Sequence, residues 1–172
     1  MAAAHSLGSP ARADDRTAAL LRRGLLALVA LSIAGTALEL ATVHHWQSAL
    51  QLVAWIALVA LAVATGLLTV QSSRARVQTA RRLAAAVLLS AAAGVLTHVH
   101  ENYEAGPLDQ RFEVTWDTMS EGARWWAAVS KTVGPAPPLA PAVLGQAALG
   151  LLFATARHPA LQRHESGEQS GV

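Results

Sequence analysis

Three polar side chains interrupt the apolar stretches of this chain at matching positions: Glu39 in GLLALVALSIAGTALELATVHHW, His98 in AAAVLLSAAAGVLTHVHEN, and Gln146 in LAPAVLGQAALG. An ionisable group in such surroundings is expensive and marks a partner or a function. Just beyond them lie His44, His45, His100, Glu101, Asn102 and Glu104. Imidazole and carboxylate together suit zinc, iron, copper or manganese, and the spacings His98/Glu101 and Glu101/Glu104 put ligand-capable groups on one helical face. Glu39, His44, His45, His98, His100 and Glu101 are therefore the candidate ligands of a divalent transition metal or haem. No fixed metal motif such as H-E-x-x-H is present. The same residues fit a structural Glu39–His98 hydrogen bond or ion pair. They also fit a proton relay along a small-solute path, with His98 as the shuttle.

The elements that must position these groups are helices of membrane length. The chain has 172 residues, 53% hydrophobic and 14% charged, with mean hydropathy +0.35, far below the roughly one-quarter charge of a soluble domain. Its apolar residues gather in four blocks, 24–43, 49–70, 83–99 and 139–156, each near the ~20 residues that cross ~30 Å of hydrocarbon. The expected fold is all-α: a four-transmembrane-helix bundle. Residues 1–23 read as a basic, disordered tail, 100–134 as an extracytoplasmic loop and 157–172 as a second tail. The first block is longer than the apolar core of a signal peptide and has no A-x-A site before His44, so it reads as a retained helix.

Orientation follows from arginine. Only Arg111, Arg124 and Lys131 lie in the acidic third link, so ten of the 13 basic residues fall on the other side. Both termini and the link holding Arg74, Arg76, Arg81 and Arg82 are then cytoplasmic. Headgroups of an anionic bilayer account for that link, and nucleic acid is not an expected partner. The alanine-rich, arginine-for-lysine composition suits a GC-rich bacterial sequence and a place in the cytoplasmic membrane. Absence of cysteine excludes disulfides and thiolate chemistry.

Counting residues places Glu39 and His98 each ~22 Å above the cytoplasmic boundary, and Gln146 ~10 Å below the outer one. Trp55 of the second helix arrives at a similar depth. Small-residue stripes, Ala86/Ser90/Gly94/His98, Ser32/Gly35/Thr36/Glu39 and Ala142/Gln146/Gly150, suggest close-packing faces, so Glu39, His98, Gln146 and Trp55 are expected to form one polar core. In the third link, Trp116, Met119, Ala123, Trp126 and Val133 recur at spacings of three, four or seven, the mark of an amphipathic helix lying in the outer interface. Trp116, Met119, Trp125 and Trp126 are its interfacial or partner-docking residues. Prolines 135, 137, 138 and 141 then lead into the last helix, and His158 reads as a helix-terminus cation or headgroup contact.

From Leu38 to Pro159 the chain resembles a group of small bacterial four-helix membrane proteins with no established activity. The likeness rests on Glu39 leading into the His-rich turn and Trp46-Gln47, His98 to Glu104, the Trp-containing outer loop, and Leu139-Ala140-Pro141 through Gln146 to Arg157-His158-Pro159. It implies that Glu39, His98 and Glu101 act as a set. Function then stands between a metal or haem binder, a structural or accessory subunit docking on a membrane-protein partner or on its own copies, and proton-coupled permeation. Enzymatic activity is least favoured: there is no nucleophile motif, phosphate-binding glycine loop or cofactor fingerprint, and only a metal-dependent hydrolase fits an unpatterned His/Glu set.

Overall fold

The computed structural model describes residues 10–70, 73–156 and 158–162. Their regular structure is all helix, with no strand among the described residues: α1 Pro10–Thr42, α2 Ala49–Thr69, α3 Arg74–Ala105, α4 Glu121–Val129, α5 Ala140–Ala154 and a last turn α6 Pro159–Gln162, with single 3₁₀ turns at Gly106–Leu108 and Trp116–Thr118. Segments Arg16–Thr42, Ala49–Thr69 and Arg74–Leu108 are long and apolar enough to cross a membrane, and α5 is a shorter apolar helix of 15 residues.

Two boundaries move from their expected places. The region through Arg23 is helix from Pro10 onward rather than a disordered tail, and α3 begins at Arg74, so the arginine-rich link is mostly its first turns. For α3 the local cause is plain. Ser73 caps α3 by accepting from the Arg76 N–H at 3.4 Å. Residues 1–9 and 163–172 of the proposed tails lie outside the described residues.

The long helices pack as an antiparallel set. α5 lies against α3 and α1, α2 lies against α3 and more lightly α1, and α2 also touches α5. The α2–α5 contact is the short diagonal, and it leaves α1 and α3 at opposite corners. The core is built from small and branched residues: Val29 of α1; Ala57, Leu58, Leu61, Ala64 and Leu68 of α2; Val77, Ala80, Ala84, Val87 and Ala91 of α3; Leu144, Ala147, Ala148 and Leu151 of α5. On α3 these recur at alternating steps of three and four, the repeat that keeps one seam on a neighbouring helix. Alanines there let backbones approach closely. Leu31, Leu38, Ile56, Val59, Leu89 and Leu96 point outward, apolar faces compatible with lipid contact.

At the end opposite Arg22 and Arg23, α4 and the segment 106–136 fold over the tip of α3. Tyr103 is the centre of that cap, stacked on Trp125 at 4.4 Å and edge-on to Trp116 at 5.6 Å, with Phe112 also in T-shaped contact with Trp116 at 6.4 Å. Arg111 donates to both carboxylate oxygens of Asp109, at 3.0 and 2.7 Å, and to the Thr132 carbonyl, bracing one side of the cap on the other. That guanidinium, bonded to the Asp109 carboxyl, holds it below its ordinary 3.8, at about 2. A carboxyl depressed on folding contributes stability that is complete above pH 3.8 and disappears as pH falls toward 2. Asp109→Asn is therefore expected to lower the melting temperature slightly at pH 5, with the gap to wild type closing across that acidic window. A gap that stays constant down to pH 2 would show that the pair contributes nothing.

Candidate functional site

The predicted polar core separates when its members are located one by one. Counting along α5 from Gly150, which faces Val29, puts Glu39 at the height of Ala140. That is within about one turn of the level where His98 meets Pro137. The shared height of Glu39 and His98 is legible from counting; direction is not. Glu39 is exposed on the flank of α1, because the face of that helix turned to its neighbours is Leu26, Val29, Ile33, Ala37 and Leu40. Among the described residues its carboxylate has no hydrogen-bond or ion-pair partner.

Gln146 is likewise exposed. It sits in the middle of an outward stripe with Leu139, Val143, Leu149 and Phe153, six residues below Glu39's level and so about 9 Å deeper. Only His98 of the trio turns toward the bundle. It is half-buried, and its Nδ1–H donates to the Pro137 carbonyl at 2.8 Å, which fixes the tautomer because a carbonyl only accepts. The α2–α5 contact lies between the helices that carry His98 and Glu39.

The remaining candidates are also dispersed. His44 turns the chain between α1 and α2 with φ 53° and meets the edge of Trp46. The neighbouring His45 presents its carbonyl to Trp55 Nε1 at 2.8 Å. Trp55 is thus a half-buried clamp on this turn rather than part of a polar core. His100 and Glu101 are exposed on α3, above the core. No group of three or more His, Cys, Asp or Glu able to hold a metal ion occurs among the described residues. Glu39, His44, His45, His98, His100 and Glu101 therefore form no such group, and no hydrogen bond or ion pair joins Glu39 to His98 among the described residues.

The interfacial set divides too. A single amphipathic helix through Trp116, Met119, Trp126 and Val133 is broken at Ser120, whose hydroxyl caps α4 by accepting from the Ala123 N–H. Trp116 is 3% exposed, and Val133 and Met119 pack around it inside the cap. Trp125 is engaged on one side by Tyr103, whereas Trp126 is 71% exposed. Only Trp126 and one side of Trp125 remain to meet headgroups or a partner.

A residue that the sequence pattern barely marks is both buried and triply hydrogen-bonded. Asn102 is completely buried; its Nδ2 donates to the carbonyls of Ala128 (3.1 Å) and Ala136 (2.8 Å), and its Oδ1 accepts the Ala136 N–H at 2.9 Å. Its signal is its place four residues past His98, on the inner face of a helix running out of the apolar block.

What this arrangement offers chemically is an outward-facing carboxyl and an outward-facing amide on adjacent, apolar helices. A carboxylic acid or amide both donates and accepts, so either can pair with a like group or with a donor on another helix. No family model, curated protein or solved structure matches this chain.

Proposed function

We propose that this chain is an integral protein of the bacterial cytoplasmic membrane, crossing it four times with both termini inside, and that it serves as a structural or accessory subunit of a larger membrane assembly. The observation that carries it is Glu39: a carboxylate on the outer flank of an apolar helix with no partner among the described residues. Polar groups exposed to hydrocarbon are costly and are retained where another helix satisfies them. Beside Glu39 run Ser32 and Gly35, and Gly35 has open space around it. A second helix can approach closely there. Gln146 adds a second hydrogen-bonding group on neighbouring α5.

A fourth crossing by α5 agrees with its packing between α1 and α3. Its 15 residues cover only about 22 Å. The proline-rich entry is sunk below the tip of α3 by the His98–Pro137 bond, and local thinning of the bilayer accommodates the remainder at small cost.

The test compares wild type with Glu39→Leu/Gln146→Leu in mild detergent, reading mass by light scattering and co-purifying chains by mass spectrometry. Wild type is expected to run as an assembly and the double variant to be weakened by about 1 to 2 kcal/mol for each interhelical hydrogen bond removed, with its helical content unchanged. A wild type that is solitary in detergent and remains uncrosslinked in native membranes refutes this function.

A further inference from the structure

At the other end of the bundle, Ala19, Arg22, Arg23, Leu26, Leu68, Thr69 and His158 line an open cleft of about 350 Å³ between α1, the last turn of α2 and the segment after α5. We propose that this cleft is a specific site for a phosphate-bearing anion, and that in the membrane its ligand is the headgroup of an acidic phospholipid.

Charge comes first. Arg22 and Arg23 are adjacent on α1, and neither has a carboxylate within ion-pair distance among the described residues. Arg22 is half-buried and held in place, its Nε donating to the Ala154 carbonyl at the end of α5 at 3.1 Å. One edge of its guanidinium is committed to the fold, and the planar group keeps further N–H donors for a phosphate oxygen. Arg23 is exposed beside it. His158 is 8% exposed, and its Nδ1 accepts the Ala160 N–H at 3.2 Å.

Shape favours a lipid over a small anion. The wall has two chemistries: Leu26 and Leu68, which belong to or pack on the helix core, and Arg22, Arg23, Thr69 and His158, which supply the polar lining. The cleft also sits where α1 passes from the charged run into the apolar run that begins at Gly24. A glycerophospholipid presents that order of chemistry, glycerol and acyl carbons followed by a phosphate, and basic pockets between membrane helices hold such headgroups. An inorganic phosphate uses only the polar half. Nothing in this site depends on Glu39 or on the assembly it serves.

The experiment uses the full chain, stripped of lipid in detergent and then given phosphatidylglycerol, phosphatidylcholine or millimolar inorganic phosphate. Bound lipid is counted by native mass spectrometry, and protection is followed by thermal unfolding. Phosphatidylglycerol is expected to bind one per chain, in preference to phosphatidylcholine. Arg23→Gln should weaken that preference about fivefold, and Arg22→Gln/Arg23→Gln by more than tenfold, the factors that correspond to about 1 kcal/mol of attraction per arginine. Because Arg22 also holds α5, Arg23→Gln is the decisive variant should the double change fail to fold. Protection by inorganic phosphate equal to that by the acidic lipid, and lost in Arg23→Gln, upholds the anion site but names the free ion as its source. Equal retention of both lipids with no effect of phosphate, or an Arg23→Gln protein that retains phosphatidylglycerol as wild type does, overturns it.

Discussion

Asn102→Ala is expected to detach the outer cap from the bundle and lower stability by about 2 to 4 kcal/mol, the cost of stranding the buried partners of three hydrogen bonds. Those partners are the carbonyls of Ala128 and Ala136 and the Ala136 N–H, which belong to two different segments of the cap. The side chain is therefore a cross-link between α3, the end of α4 and the proline-rich approach to α5. Its orientation is dictated by chemistry, since only Oδ1 can accept the Ala136 N–H and only Nδ2 can donate to carbonyls. Asn102→Asp keeps the shape but turns an oxygen toward two carbonyls, and should be at least as damaging. Thermal unfolding in detergent measures the loss, and the fluorescence of Trp116 and Trp125 reports loosening around Tyr103. A melting temperature within a degree or two of wild type for both variants would show that the cap is held elsewhere.

Gly134→Ala should cost a similar amount, about 2 to 5 kcal/mol, for two reasons that act together. Gly134 has φ +80°, a region costing roughly 1 to 2 kcal/mol for a residue with a β-carbon. A methyl group there would also lie 2.5 Å from the Asn102 Cα and press on its amide oxygen, adding an overpacking strain of about 1 to 3 kcal/mol. The comparison is with Gly66→Ala in α2, where nothing lies within 4 Å of the new carbon. There a helical glycine replaced by alanine should be neutral or gain up to about 1 kcal/mol. Because Gly134 and Asn102 are in contact, the double variant Asn102→Ala/Gly134→Ala should lose less than the two single losses combined. Additive losses, or a Gly134→Ala protein as stable as Gly66→Ala, would remove this contact from the account of the cap.

The helices are legible because the apolar blocks announce them: the block at 49–70 becomes α2, Ala49–Thr69. The helical turns that the apolar blocks do not announce are those of α1 from Pro10 and α3 from Arg74. They are charged, and a charged stretch beyond an apolar block carries no periodicity that distinguishes helix from coil. The side-chain directions are less legible. In a helix apolar on every side, composition does not say which stripe turns inward. The small-residue ladder Ala86, Ser90, Gly94, His98 shows the difficulty. Each step of four residues advances about 40° beyond a full turn, so the ladder winds from exposed Ala86 to a half-buried His98, while the true seam follows Val77, Ala80, Ala84, Val87 and Ala91.

By itself the sequence determined where the apolar helices fall along the chain, which end of the bundle is basic and that Glu39 and His98 lie at similar heights, because these depend on distances along one chain. Tertiary structure alone decided that α2 and α5 take the short diagonal and hold α1 away from α3, that Glu39 and Gln146 face outward, and that Asn102 rather than a histidine gathers the polar contacts. Those outcomes depend on which faces of different helices fit together, and packing energies between distant segments leave no periodic trace in either segment alone.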